Sequence, residues 1–223
     1  MTPYPDSATY DKLYARYLSR PVSDLLDLAG GVKGQIVWDL CAGGGRLSRE
    51  ALKQGAYRVV AVDSSYDMMK PLYDWKRRGG KWTKRLTIYC GPVLVGVRTA
   101  TPAPNLVFCR QGVNYWFQKE AVRILASRMT EKGKFIFNTF NTRPPTKPTV
   151  KEYDYGGHSF VEVSWRISKS RMIQHVQVRD GMEMHHTQFR WITPDEFFRI
   201  LTPLFAIEKV TKGRTDIYVC TKK

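Results

Sequence analysis

Short apolar runs alternate with amphipathic stretches along the first two thirds of the chain. Residues 36–40, 57–63, 86–90, 105–109 and 134–139 are brief, mostly apolar runs, which read as buried strands. Between them, apolar positions recur at helical spacing. Leu47, Ala51 and Leu52 follow the first run, and Met68 and Met69 follow the second. Phe117, Ala121, Ile124, Leu125 and Met129 follow the fourth. Strands alternating with helices predict an α/β protein built on a parallel sheet. Upstream, Tyr10, Leu13, Tyr14, Tyr17 and Leu18 recur at helical spacing. Pro21 interrupts them, and Gly30-Gly31 ends the stretch.

After residue 139 the period changes. A proline-rich link, 141–148, leads into runs of period two: Val161, Val163, Trp165 and Ile167, then Met172, Gln174, Val176 and Val178. Asp180-Gly181 is a two-residue hairpin turn. An unbroken ladder from that turn sets His175 opposite His186, Gln177 opposite Met184 and Ile173 opposite Gln188. One face then carries both histidines among glutamines, arginines and methionines, which suits either the lid of a polar pocket or a wet outer face. No carboxylate or cysteine joins the histidine pair at ligand spacing, so no metal site is expected. Thr193-Pro194-Asp195-Glu196 is a capping box that starts a helix. Residues 205–210 and 215–221 close the chain as a hairpin.

Composition adds charge to this picture. The 223 residues carry a net charge of +16, which attracts polyanions. Lys70, Lys76, Arg77, Arg78, Lys81, Lys84 and Arg85 cluster among Tyr73, Trp75 and Trp82, a pattern of either a nucleic-acid surface or a solvated helix face. The four cysteines are isolated and read as buried free thiols of a reducing cytosol. Met1 to Tyr10 is polar and no run reaches membrane-span length, so a cytoplasmic protein is expected.

The candidate chemistry lies in Ile36-Val37-Trp38-Asp39-Leu40-Cys41-Ala42-Gly43-Gly44-Gly45-Arg46, a strand, a small-residue turn and a helix start. Small residues let the backbone approach a ligand, and the helix start offers unpaired N–H groups. A second acid, Asp63, ends the next strand about 20 residues beyond the glycines, as a ribose-binding carboxylate would. A dinucleotide turn leaves little room for an acid beside the pyrophosphate. Asp39, four residues before Gly43, suits a cationic ligand end instead.

This stretch resembles motif I of the class I S-adenosylmethionine (SAM)-dependent methyltransferases, D-x-G-x-G-x-G, with Cys41 in place of the first glycine. The resemblance covers about 35–223. It implies a Rossmann-like class I methyltransferase fold, with a mostly parallel seven-stranded sheet and an antiparallel lid inserted after strand five. The expected parts are a helical cap (1–34), a SAM-binding core (35–141), the lid (142–191) and a closing helix and hairpin (192–223). Carried over from the family, SAM contacts fall on Asp39, Cys41, Ala42, Gly43, Gly45, Asp63, Ser64, Met68, Gly91 and Arg110. Tyr14 and Tyr17 are expected over the methionyl end. The family's Gly-Asp after strand three is here Gly91-Pro92, which offers adenine no side-chain acceptor. Residues 110–115 resemble the family's segment after strand four, which makes Asn114 and Tyr115 orienting groups. His186 is the first candidate base and His175 the second. The implied function is methyl transfer to nitrogen or oxygen of a small molecule under the lid. The alternatives are a nucleic-acid methyltransferase using 70–85 and a SAM-binding protein without catalysis.

Overall fold

Every buried run of the first two thirds becomes a strand in a computed structural model of the chain, which describes residues 22–140, 145–155, 158–167, 171–213 and 215–223. After helix α1 (Ser23–Leu28) come β1 (Ile36–Leu40), α2 (Arg46–Lys53), β2 (Arg58–Asp63), α3 (Tyr66–Arg77), β3 (Leu86–Cys90), α4 (Val93–Thr99), β4 (Leu106–Cys109), α5 (Val113–Trp116), α6 (Lys119–Arg128) and β5 (Lys134–Phe140). The last elements are α7 (Pro194–Leu201), β10 (Phe205–Lys212) and β11 (Thr215–Lys222). They form one seven-stranded sheet in the order β10-β11-β5-β4-β1-β2-β3. β1 to β5 are parallel, and β11 runs antiparallel to both β5 and β10.

Both faces of the sheet are covered at its centre, which is why β1, β2 and β4 are almost continuously apolar and buried, whereas the edge strand β10 is not. On one face Trp38, Leu40, Val60, Phe135 and Phe137 pack against α4 to α7. On the other, Val37, Val59, Phe108 and Ile136 pack against α1 to α3. Phe137 stacks on Tyr218 at 4.9 Å, and Phe117 meets Phe197 edge-on at 4.7 Å. These rings lock β5 to β11 and α7 to the sheet.

A second sheet, β6 (Thr149–Tyr155), β7 (His158–Arg166), β8 (Met172–Arg179) and β9 (Met182–Arg190), is antiparallel in chain order. It follows β5, at the carboxyl edge of the parallel strands. Its first strand reads Thr-Val-Lys-Glu-Tyr-Asp-Tyr, an edge strand whose charges hide it from an apolar-periodicity reading.

The predicted register of the β8–β9 hairpin is corrected. Arg179–Met182 and Val178–Glu183 pair as expected, but the ladder slips by one residue between Gln177 and Val178. Beyond this bulge Val176 faces His186, His175 faces Thr187 and Ile173 faces Phe189. A slip of one residue exchanges faces. His175 and His186 therefore stand on opposite sides of the sheet. His186 takes the side of Gln174 and Gln188, and His175 that of Ile173 and Phe189.

The foot of the second sheet is tied to α7. Glu196 is buried (6% exposed) and accepts from Arg171 Nη1, just ahead of β8, at 2.6 Å, and also from Arg190, the last residue of β9. Only half of the expected capping box forms. Thr193 Oγ1 accepts the Glu196 N–H at 3.2 Å, but the carboxylate turns to the arginines.

Candidate functional site

The turn after β1 is held from below by Asp39. Its carboxylate is buried and accepts from the Ser48 N–H at 3.0 Å and the Ser48 hydroxyl at 2.6 Å, which fixes the first turn of α2. Burial pushes its pKa up to about 7, against those bonds and against nearby Arg110. Gly43 (φ +50°) and Gly45 (φ +72°) take left-handed backbone, and so does Cys41 at φ +58°. A side chain rarely adopts that conformation. Cys41 is accommodated by the absence of one at Gly112, where an added Cβ would lie 2.4 Å from the Cys41 Cβ.

Asp63 closes the turn from β2. Its Oδ2 accepts the Gly43 N–H at 2.8 Å and its Oδ1 the Ser65 N–H at 2.9 Å. Burial raises its pKa, opposed by the amides of Ser65, Gly43 and Ser64. Ser64 is exposed beside it. Ser65 caps α3 by accepting the Met68 N–H at 3.2 Å. Met68 is buried, its Cε 3.4 Å from where a Gly43 Cβ would stand. The Gly91 N–H donates to the Asp63 carbonyl at 2.8 Å, and Pro92 serves as N-cap of α4. Cys90 is exposed, against the expectation of four buried thiols; Cys109 and Cys220 are buried and Cys41 is half-buried.

From β4, Arg110 lies close enough to Asp39 to oppose its pKa rise. Gln111 is left-handed (φ +61°) and its N–H donates to Asn138 Oδ1 at 2.9 Å. The short helix α5 follows. Asn114 Nδ2 donates to Thr139 Oγ1 at 3.3 Å, while its Oδ1 is buried with no hydrogen-bond partner among the described residues. Tyr115 packs its ring 5.2 Å from that of Phe189, joining the core to the second sheet.

The sheet face that carries Phe189 is the buried one. Phe160, Glu162, Ile173 and Gln177 on it are each at most 9% exposed. On it the Nδ1 of His175 lies 2.8 Å from Ser164 Oγ and 3.5 Å from Glu162 Oε1, and burial lowers the His175 pKa, so the ring is neutral near pH 7. His186 is on the other face, half-exposed, with Nε2 2.6 Å from Gln174 Oε1.

The carboxyl edge thus brings together Asp39, Cys41, Ala42, Gly43, Gly45, Asp63, Ser64, Met68, Gly91, Arg110, Asn114 and Tyr115. It leaves out His186. Tyr14 and Tyr17 lie outside the described residues. Two features escaped sequence reading, Gly112 and the Ser164–His175–Glu162 cluster. Gly112 was visible only as a glycine, since its partner Cys41 is 71 residues away. The cluster exists only in the ladder register. A cleft of about 550 Å³ lies at the foot of the second sheet, lined by Gln118, Lys119, Arg190, Glu196, Arg199 and Ile200, none of them among the predicted site residues. Among the described residues no group of three or more His, Cys, Asp or Glu could hold a metal ion, and no helix is long and apolar enough to cross a membrane.

These residues fit SAM on the structure's own terms. The turn carries left-handed glycines at 43 and 45, Asp63 bonds it from β2, Asp39 fixes the helix that follows it, and Asn114 Oδ1 is a buried acceptor with no partner among the described residues. The sequence matches no protein-family profile and no curated protein. Solved structures do match in shape. The CcbJ methyltransferase from Streptomyces caelestis aligns with TM-score 0.74 at 15% identity, over 90% of this chain and 88% of its own. SAM-bound CalS10, an amino pentose methyltransferase from Micromonospora echinaspora, gives 0.70 at 13%, over 100% and 99%. The sugar N-methyltransferase KedS8 from a Streptoalloteichus species gives 0.67 at 12%, over 100% and 97%. The chain has the class I SAM-dependent methyltransferase fold, with an antiparallel sheet inserted after the fifth strand.

Proposed function

We propose that this protein is a SAM-dependent methyltransferase that moves a methyl group by direct displacement onto a nitrogen or oxygen of a small molecule held under the second sheet. The observation that carries this reading is the position of α5. Its Asn114 and Tyr115 stand between the cofactor turn and the buried, polar face of the lid. When bound, SAM supplies an electrophilic methyl, so the protein's task is alignment and exclusion of water. Asp63, fixed by two amides, accepts the ribose hydroxyls. The turn from Cys41 through Gly45 admits the methionyl part, with Arg110 and Asp39 beside it and Met68 and Gly91 toward the adenine. Asn114 Oδ1 accepts a proton-bearing group of the acceptor and orients its lone pair. Where the acceptor keeps a proton, His175 takes it, being neutral and on the inner face. His186, on the outer face, is the weaker candidate. CalS10 and KedS8 act on sugars, which supports a polar metabolite as acceptor.

The nucleic-acid reading gains less. The 70–85 surface begins with Lys70 on α3, but most of its cations, 76–85, lie at the end of that helix about 18 Å from Ser65 and the carboxyl edge.

Methyl-labelled SAM incubated with the protein and a cell extract, with and without nuclease, tests the proposal. Label is expected in small solutes and unaffected by nuclease. Asp63→Ala is expected to weaken SAM binding about 100-fold, the loss of two charge-assisted hydrogen bonds. Unchanged affinity would remove the cofactor assignment, and label in nuclease-sensitive material would overturn the acceptor class.

A further inference from the structure

The opposite edge of the parallel sheet carries a feature that methyl transfer does not use. The segments that lead into β1, β2 and β3 lie side by side, because these strands are neighbours in the sheet. Residues 31–34 hold one Lys or Arg, residues 53–58 two and residues 75–85 six, with no Asp or Glu among them. Nine cations thus gather on one edge of a chain whose net charge is +16. Contacts between the segments make the surface continuous. The Gly34 N–H donates to the Gly55 carbonyl at 2.9 Å, and Arg85 Nη1 to the Ala56 carbonyl at 3.1 Å. Lys81 and Arg85 both lie on the Trp82 ring, at 4.4 and 4.8 Å. Tyr57, 61% exposed, stands beside them.

We propose that this edge binds single-stranded nucleic acid through its phosphates, as a surface separate from the methyl-transfer site. Of these cations Arg77 is paired with Asp74, at the margin of the cluster; the cluster as a whole holds a phosphate backbone, with Tyr57 and the half-buried Trp82 placed to stack bases. Tyr57 is the one exposed large apolar side chain on this edge among the described residues. That suits base stacking better than insertion into a lipid surface, for which several would be needed. The proposal does not rest on the methyltransferase reading.

The test is fluorescence anisotropy with a labelled single-stranded RNA of mixed sequence, about 20 nucleotides long, between about 50 and 200 mM salt. The variant K53E/R78E/K81E/K84E is compared with K119E/R123E/K147E/R199E, which changes net charge equally on other surfaces. Binding by the wild type is expected to weaken steeply with salt. The edge variant is expected to lose about 30-fold or more in affinity and the control less than about 3-fold. Circular dichroism checks that both fold. If the edge variant does not, Lys81→Gln with Lys84→Gln, both on exposed turn positions, takes its place with a loss of about 5-fold expected. Equal losses in edge and control variants would reduce the effect to net charge and overturn the proposal. So would absence of RNA binding, or binding only to vesicles containing phosphatidylserine.

Discussion

At Cys41 a side chain occupies backbone that glycine adopts freely, and the fold makes room by omitting one at Gly112. The two positions are therefore coupled. Gly112→Ala alone drives a Cβ into the Cys41 Cβ and is expected to cost about 2 kcal/mol. Cys41→Gly relieves both the clash and the left-handed strain, so the double variant should return to within about 1 kcal/mol of the wild type. Urea denaturation of the four proteins measures this, and additive losses would mean that the contact is not shared. Asp39 sets a pH dependence. Its ordinary value is 3.8 and the fold raises it to about 7, so the native state holds its proton more tightly than the unfolded chain. Its contribution to stability is thus greatest at low pH and is lost as pH rises from 3.8 to about 7. A cationic ligand beside it favours the ionised form. SAM affinity is accordingly expected to rise with pH between about 6 and 8, with proton release. Calorimetry in buffers of different ionisation enthalpy reads both, and Asp39→Asn should flatten the profile.

Among the elements, the lid depends on one carboxylate and one bulge. Glu196 draws Arg171 and Arg190 to α7 at the two feet of the β8–β9 hairpin. Glu196→Ala removes the buried partner of two half-exposed arginines and is expected to cost about 1–2 kcal/mol. Amide hydrogen exchange should rise in β8 and β9 and stay unchanged in β1 and β4. Uniform acceleration would mean that Glu196 supports the whole fold and not the foot of the second sheet. The bulge at Gln177/Val178 puts the two histidines on opposite faces of the sheet, His175 inward and His186 outward. Nothing in the Asp180-Gly181 turn announces it. The turn specifies pairing at the loop, and the extra residue enters four positions later, where the inner face is buried and the outer one is wet.

Over the whole molecule, the two edges of one sheet carry different residues. The residues proposed to bind the cofactor gather where the parallel strands end, because the βα turns that follow β1 and β2 are short and bring Asp39, the glycines and Asp63 together. Cations gather where the strands begin, at the far end of α3. Net charge is readable from composition, but its segregation from the site follows only once β1, β2 and β3 are neighbours. Periodicity and turn chemistry are local properties. The sequence by itself therefore determined the alternation of strands and helices, the glycine turn with Asp39 and Asp63, the Thr193 cap of α7 and the inserted β segment. Four relations depend on distant pairs whose match is a matter of packing. These are the fit of Cys41 into Gly112, the burial of Asn114 against β5, the face of His175 and the clamp on Glu196. Only the tertiary structure decided those, because each is set by which backbones lie within a few ångströms of one another and not by any spacing along the chain.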